Sequence, residues 1–309
     1  MQVLNWGILG ASKFAREQMA PAIHASQGAR LAVLATSSID KADGFRAFCP
    51  DLRVIDDYDA LLADPEIDAV YIPLPNHLHV EWSLKALKSG KHVLCEKPMA
   101  MEAREYGDLI AARDQSGRLA AEAYMIVHHP QWQWARQQIA GGAIGPLRHV
   151  SGRFSFDNRA DTTNIRNRPE TGGGALRDIG VYVIGGARYV SGAEPVSVRS
   201  AIRWENGVDV FTLIDADFPE FTYSAYVSTR MHPAQEMVFH GETGILRLPV
   251  PFNAGVFGEA RVEIEGNDLS RICRRFPRDN HYVLQVEAFG RTVRQGDPYP
   301  CPLEFSRGT

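Results

Sequence analysis

Short apolar runs alternate with amphipathic segments over the first 125 residues. Val3–Leu9, Ala29–Ala35, Leu52–Ile55, Ala69–Pro73, His92–Cys95 and Leu119–Tyr124 are mostly apolar along their whole length. Strands buried on both faces read this way. Helix-like stretches separate them, at about 14–25, from Ile39, from Asp57, at Val80–Ser89 and at Met101–Gln115. The alternation predicts a parallel, doubly wound sheet with helices on both faces. Past residue 125 the period changes. A helix is expected to about Ala140, then a turn at Gly141–Pro146 and an alternating strand at Leu147–Phe156. A polar loop, Asn158–Thr171, leads to a helix reaching Val190. From Val196 to Glu265 six strand patterns follow one another with short turns, which predicts an antiparallel meander whose apolar outer face is open to a partner.

The expected fold class is therefore α/β. Residues 1–125 are expected to form the doubly wound domain, and residues 126–309 an α+β domain with a mainly antiparallel open sheet.

Length and charge narrow the partners. The chain has 309 residues, enough for two domains, and 45% apolar and 23% charged residues, as soluble globular chains do. A net charge of −4 gives no electrostatic case for nucleic acid or an anionic membrane. Cys49, Cys95, Cys273 and Cys301 are scattered without a C-x-x-C pair, which argues against disulfides and zinc and suits a reducing cytoplasm. No basic and apolar leader precedes the first strand, and no run reaches transmembrane length.

Candidate chemistry gathers at the carboxyl ends of the expected strands, where open parallel sheets bind ligands. Gly90–Pro98 runs from strand into Glu96-Lys97-Pro98. Charges at a strand end need a partner or a ligand, although a surface lysine in a turn fits the local stretch equally well. Pro98 restricts Lys97 and can hold a cis bond.

The first strand ends in Gly10, with Ser12 and Ala15 in the later positions of G-x-G-x-x-G/A and Phe14 beside them. The second strand ends in Thr36-Ser37-Ser38, with Lys41 nearby. No carboxylate stands there to bind a ribose 2′-hydroxyl, and hydroxyls with a lysine suit a 2′-phosphate, which favours NADP over NAD. Capping of the following helix is the alternative. Pro73, Asn76, His77 and His79 follow the fourth strand on the same rim. The two histidines lack the Cys or carboxylate neighbours of a metal site. They are read as hydrogen-bonding to cofactor or substrate, or as helix caps.

Four segments together resemble the glucose–fructose oxidoreductase/inositol dehydrogenase (Gfo/Idh/MocA) family. They are Gly7–Ala15, Ala69–His79, Gly90–Pro98 and Gly172-Gly173-Gly174-Ala175-Leu176-Arg177-Asp178-Ile179-Gly180-Val181-Tyr182. The resemblance implies that residues 1–125 are a Rossmann dinucleotide-binding domain and that residues 126–309 are a substrate-binding and oligomerisation domain that covers the nicotinamide. It also implies that Lys97, Asp178 and Tyr182 line the reaction centre. Tyrosine at the last position is similar to the branch containing glucose–fructose oxidoreductase and dimeric dihydrodiol dehydrogenase.

Tyr124, His129 and Arg166 fall where the family has residues near the substrate. Packing between domains is the alternative for Tyr124 and His129. The implied activity is hydride transfer between NADP, or NAD, and a sugar, polyol or dihydrodiol. Glu96 and Lys97 would join the cofactor contacts, and a homodimer or homotetramer would form through the second sheet. Whether Lys97 or Tyr182 is the acid/base stays open. Recycling of a tightly bound cofactor and a non-enzymatic dinucleotide sensor are the rival readings. The family also continues into a final helix after a segment like Pro302–Thr309.

Overall fold

The computed structural model describes residues 3–309. They fall into two compact units, one holding the chain up to Met125 together with His281–Gly308, the other Ile126–Asn280 with Thr309.

In the first unit, β1 (Leu4–Leu9), β2 (Ala29–Ala35), β3 (Arg53–Ile55), β4 (Ala69–Ile72), β5 (His92–Cys95) and β6 (Ala120–Glu122) form one sheet in the order β3-β2-β1-β4-β5-β6. Every pairing is parallel. The order reverses between β1 and β4, the switch point at which such sheets bind ligands. Helices α1 (Ala20–Ala25), α2 (Asp43–Arg46), α3 (Tyr58–Ala63), α4 (His79–Lys88) and α5 (Glu105–Ser116) fill the crossovers. A π-helical turn, Ala15–Met19, leads into α1. Trp6, Ile8, Val70, Tyr71, Val93 and Leu94 are fully buried, which is why β1, β4 and β5 read as unbroken apolar runs.

In the second unit α6 (Pro130–Ala140) precedes β7 (Leu147–Asp157), and α7 (Val181–Ser191) follows it. Then come β8 (Ser197–Glu205), β9 (Val208–Asp217), β10 (Thr222–Ser228), β11 (Arg230–Gly241), β12 (Gly244–Leu248), β13 (Ala260–Gly266) and β14 (Arg271–Phe276). The sheet order is β14-β13-β12-β11-β7-β10-β9-β8. All its pairings are antiparallel except that of β10 with β7. The expected single meander is thus two meanders, separated by β7. The earlier strand takes the central place, so β10 and β11 are not neighbours although one residue separates them.

Glycines let the second unit's layers close. A Cβ at Gly152 of β7 would lie 2.7 Å from Met237 Sδ and 3.3 Å from Val183 Cβ. One at Gly186 of α7 would lie 2.5 Å from the Trp132 ring of α6. The uncovered face is mixed rather than apolar: Phe211, Leu213 and Tyr226 share it with Arg153, paired to Glu236 at 2.9 Å.

The chain then returns to the first unit through α8 (His281–Gln295) and α9 (Leu303–Gly308). This corrects the expected boundary, which assigned everything after residue 125 to the second domain. Phe289, fully buried, packs on Trp6 of β1 with ring centroids 4.9 Å apart. Leu303 joins the core beside β5 and β6, and Arg113 of α5 meets Glu304 through its two terminal guanidinium nitrogens at 3.1 and 2.9 Å. An amphipathic pattern records that a face is buried, but not by which layer.

Candidate functional site

The first group of expected residues sits on the loops leaving β1, β2, β4 and β5. Gly10 has φ +104° and donates its N–H to Ala35 O at 2.8 Å, tying the turn to the end of β2. That φ favours glycine, and a Cβ there would also lie 2.9 Å from Leu74 Cδ2. Ser12 Oγ accepts the Ala15 N–H at 3.0 Å and opens the helix that runs from residue 13 to Ala25. Ala15 is fully buried, and Phe14, 38% exposed, meets Tyr282 edge-on at 5.6 Å. A tight glycine turn opening onto free N–H groups of a helix's first turn is a cradle for a pyrophosphate.

The end of β2 departs from expectation at one residue. Thr36 is buried, and its hydroxyl accepts the Ser38 N–H at 3.2 Å, which closes the turn. Ser37 and Lys41 are exposed and Ser38 half-exposed. The Ser38 side chain does not cap the following turn, Ile39–Ala42.

After β4, Pro73 is buried, Asn76 half-buried and His77 exposed. His79 is fully buried, with Nδ1 2.8 Å from Pro98 O and Nε2 2.7 Å from Leu74 O. It bridges the loops after β4 and β5, which removes it from the cofactor contacts. Buried carbonyls need donors, and this ring lies between two of them. Burial pushes its pKa down, against the two carbonyls, which favour the charged ring.

After β5, Glu96 Oε1 accepts the Tyr71 hydroxyl at 2.7 Å and Oε2 accepts the Lys97 N–H at 3.3 Å. Burial pushes the Glu96 carboxyl up, with the Lys97 charge opposing it. Tyr71 is driven far above its usual range by burial and then by the Glu96 charge. Lys97 is half-buried, and its peptide bond to Pro98 is cis. Tyr124 is 2% exposed and packs toward Phe305 of α9. It is a core residue of the first unit.

The second group lies in the second unit. Gly172 (φ +74°) and Gly174 (φ +118°) bend the chain into a helical run from Ala175 to Ser191. A Cβ at Gly173 would lie 2.6 Å from Arg166 O, so this turn presses against the preceding loop. That contact brings Arg166 Nε to 2.5 Å from Asp178 Oδ2. Asp178 sits in a π-helical turn, Leu176–Gly180, and Tyr182 follows at the start of α7.

The Tyr182 ring lies 5.8 Å from Phe154 and 5.5 Å from Phe252, which stack on each other at 4.9 Å. Phe252 also stacks on Trp132 at 6.1 Å, and Trp132 Nε1 donates to Pro251 O at 2.7 Å. Phe154 lies on the inward side of an alternating strand and was legible as core, whereas Phe252 stands in a loop with no periodic signal. His129 is fully buried and caps α6, its Nδ1 accepting the Gln131 N–H at 3.1 Å. Burial lowers its pKa to about 4. Capping and packing account for it.

The expected residues thus form two sets. Gly10, Ser12, Ser37, Ser38, Lys41, Asn76, Glu96 and Lys97 share the rim of the first unit. Arg166, Asp178 and Tyr182 share one corner of the second.

Residues 4–124 match an oxidoreductase family with an NAD-binding Rossmann fold, GFO_IDH_MocA, and residues 132–247 match the GFO/IDH/MocA C-terminal domain. The chain belongs to the Gfo/Idh/MocA oxidoreductases. Among relatives of this Gfo/Idh/MocA chain, a dTDP-3,4-didehydro-2,6-dideoxy-alpha-D-glucose 3-reductase of Streptomyces violaceoruber is 38% identical over 302 residues, spanning 96% of this chain and 86% of that one. A D-xylose 1-dehydrogenase (NADP(+)) of Haloferax volcanii is 30% identical, spanning 95% and 90%. A 3-ketoreductase from Actinomadura kijaniata, solved in complex with NADP and TDP-benzene, matches with a TM-score of 0.89 at 28% identity, covering 99% of this chain and 94% of that one. The Gfo/Idh/MocA assignment accounts for the glycine turn after β1 and for the Glu96-Lys97-Pro98 loop at the switch-point end of the sheet.

Proposed function

We propose that this chain is an NADP-preferring oxidoreductase that interconverts a hydroxyl and a carbonyl on a sugar or a sugar-like ring. The carrying observation is the Arg166–Asp178–Tyr182 group: a carboxylate held by a guanidinium at 2.5 Å, one turn before a phenol packed against a stacked pair of aromatic rings. Such a site orients a hydroxyl-bearing substrate and moves one proton.

The first unit fits the cofactor: Gly10 and Ser12 would take the pyrophosphate, Ser37, Ser38 and Lys41 the 2′-phosphate, and Asn76 and Glu96 the nicotinamide end. The nicotinamide, when bound, supplies or accepts the hydride. Tyr182 exchanges the proton with the reacting oxygen. Lys97, on the rim of the first unit, would favour negative charge on an oxygen bound beside it. Asp178, fixed by Arg166, aligns the substrate hydroxyl. The named reactions of the relatives, a sugar 3-reduction and a xylose 1-oxidation, support the substrate class in both directions.

The test is a panel of aldoses, polyols, trans-dihydrodiols and nucleotide-linked ketosugars, followed at the nicotinamide absorbance with NADP and NAD separately. Turnover with a sugar and NADP is expected, falling about 10²–10⁴-fold in Lys97→Met and Tyr182→Phe without loss of NADP binding. No turnover with any member, or full turnover in both variants, overturns the reading.

We also propose that the open face of the eight-stranded sheet pairs with a second copy of the chain. Phe211 and Tyr226 stack there at 6.0 Å, and Leu213 is 38% exposed beside them. Light scattering should give a dimer or tetramer, and Leu213→Asp should lower the mass. A monomeric wild type removes this proposal.

A further inference from the structure

We propose that Asp209 is a positioning residue for Asp178 and Tyr182, acting through the first turn of the helix that carries both. This rests on the reading that Asp178 and Tyr182 serve the reaction. Asp209 is the second residue of β9, only 6% exposed. Its Oδ2 accepts the Leu176 N–H at 2.7 Å and the Thr212 hydroxyl at 3.2 Å. Its Oδ1 fills the place of the missing Gly174 side chain: a Cβ there would lie 2.0 Å from Oδ1. Gly174 O in turn accepts the Asp178 N–H at 3.2 Å. A continuous line thus runs from a sheet strand, through one carboxylate, to the residue that holds Arg166.

The source of this cap is what gives it a role. A helix start leaves N–H groups unpartnered, and a local Ser or Asp normally satisfies one of them. A local cap moves with its helix. Asp209 reaches in from β9, so it also fixes where the helix begins along the sheet. The turn it holds, Leu176–Gly180, is π-helical, and a π turn changes the angular relation of residues on either side of it. The Asp178–Tyr182 spacing therefore depends on where that turn starts. Burying a carboxylate is costly unless it is bonded, and both of its bonds here go to this task or to its own strand.

Three variants separate anchoring from charge. Asp209→Asn keeps an acceptor of the same reach, Asp209→Glu keeps the charge one methylene out of place, and Asp209→Ala keeps neither. Positioning predicts kcat within about threefold of wild type for Asn, and a fall of about 10- to 100-fold for Glu and Ala, with the NADP dissociation constant unchanged. Hydrogen exchange over residues 175–182 should quicken in Glu and Ala but not in Asn. Should Ala not fold, the order of Asn and Glu decides. Glu equal to or better than Asn, in kcat and in exchange, overturns the proposal. An inactive wild type refutes the functional reading instead, and the exchange comparison still tests the anchor.

Discussion

Arg166 Nε and Asp178 Oδ2 stand 2.5 Å apart, joining a polar loop to the helix that follows three glycines. The pair is half in water: the Arg166 side chain is 38% exposed and that of Asp178 12%. Its energetic weight for folding is small, while its geometric weight is large, because it removes the carboxylate's freedom to rotate. Arg166→Ala should leave the fold intact and the NADP dissociation constant unchanged. The KM for the sugar should rise about 10- to 100-fold, the value of one charge-assisted hydrogen bond. Steady-state kinetics over both substrates checks this, and an unchanged sugar KM would remove Asp178 from substrate alignment.

In the proposed function, the turn beyond β2 carries the cofactor choice. Thr36 is buried in that turn, while Ser37 and Lys41 are exposed and Ser38 half-exposed. Lys41→Glu should lower the preference for NADP over NAD about 10- to 100-fold, by replacing an attraction with a repulsion. Thr36→Val should instead destabilise the turn and leave the NADP/NAD ratio within about twofold. The ratio of kcat/KM for the two cofactors is the measurement.

Acid should weaken both units separately. His92 accepts the Leu119 N–H at Nδ1, and burial holds its pKa at about 4, with the Arg118 charge adding to the effect. His129 in the second unit is held at about 4 by burial. Each ring is neutral in the folded state and charged in the unfolded state between pH 4 and the ordinary value of 6.5. The unfolded chain then binds more protons, so stability is full above pH 6.5 and falls as pH drops toward 4. His92→Asn and His129→Asn keep an acceptor without the titration. Each should make the decline of the denaturation midpoint between pH 6.5 and 4 shallower. An unchanged slope in both would show that these rings titrate normally.

The returning segment should be a structural requirement of the cofactor unit. Phe289 is fully buried against Trp6, and Phe289→Ala should cost about 3–5 kcal/mol of that unit's stability. Denaturation in the presence and absence of NADP checks it. A loss below about 1 kcal/mol would mean that the packing at β1 is not decisive.

Different features of the chain were legible for different reasons. Strands buried on both faces leave mostly apolar runs, and β2 and β5 begin and end where such runs do. The glycine turn after β1 and the three glycines before Asp178 were legible because positive φ and close backbone approach restrict the residue type. His79 was misread because position on a rim and burial beneath it look alike in one dimension. Asp209 and Phe252 left no trace: one caps a helix from 33 residues away, and the other enters the aromatic group from an irregular loop.

From the sequence alone came the layers and the parallel sheet, which follow from periodicity and from backbone conformations that few residues tolerate, and the family, which came from the resemblance of four short segments. Tertiary structure alone decided that α8 and α9 belong with the first sheet, that β7 divides the second sheet's meanders, and that His79 meets two backbone carbonyls. Those outcomes depend on which surfaces meet. A pattern of apolar positions specifies that a face must be covered, and it leaves the covering element to be chosen by packing among all the layers at once.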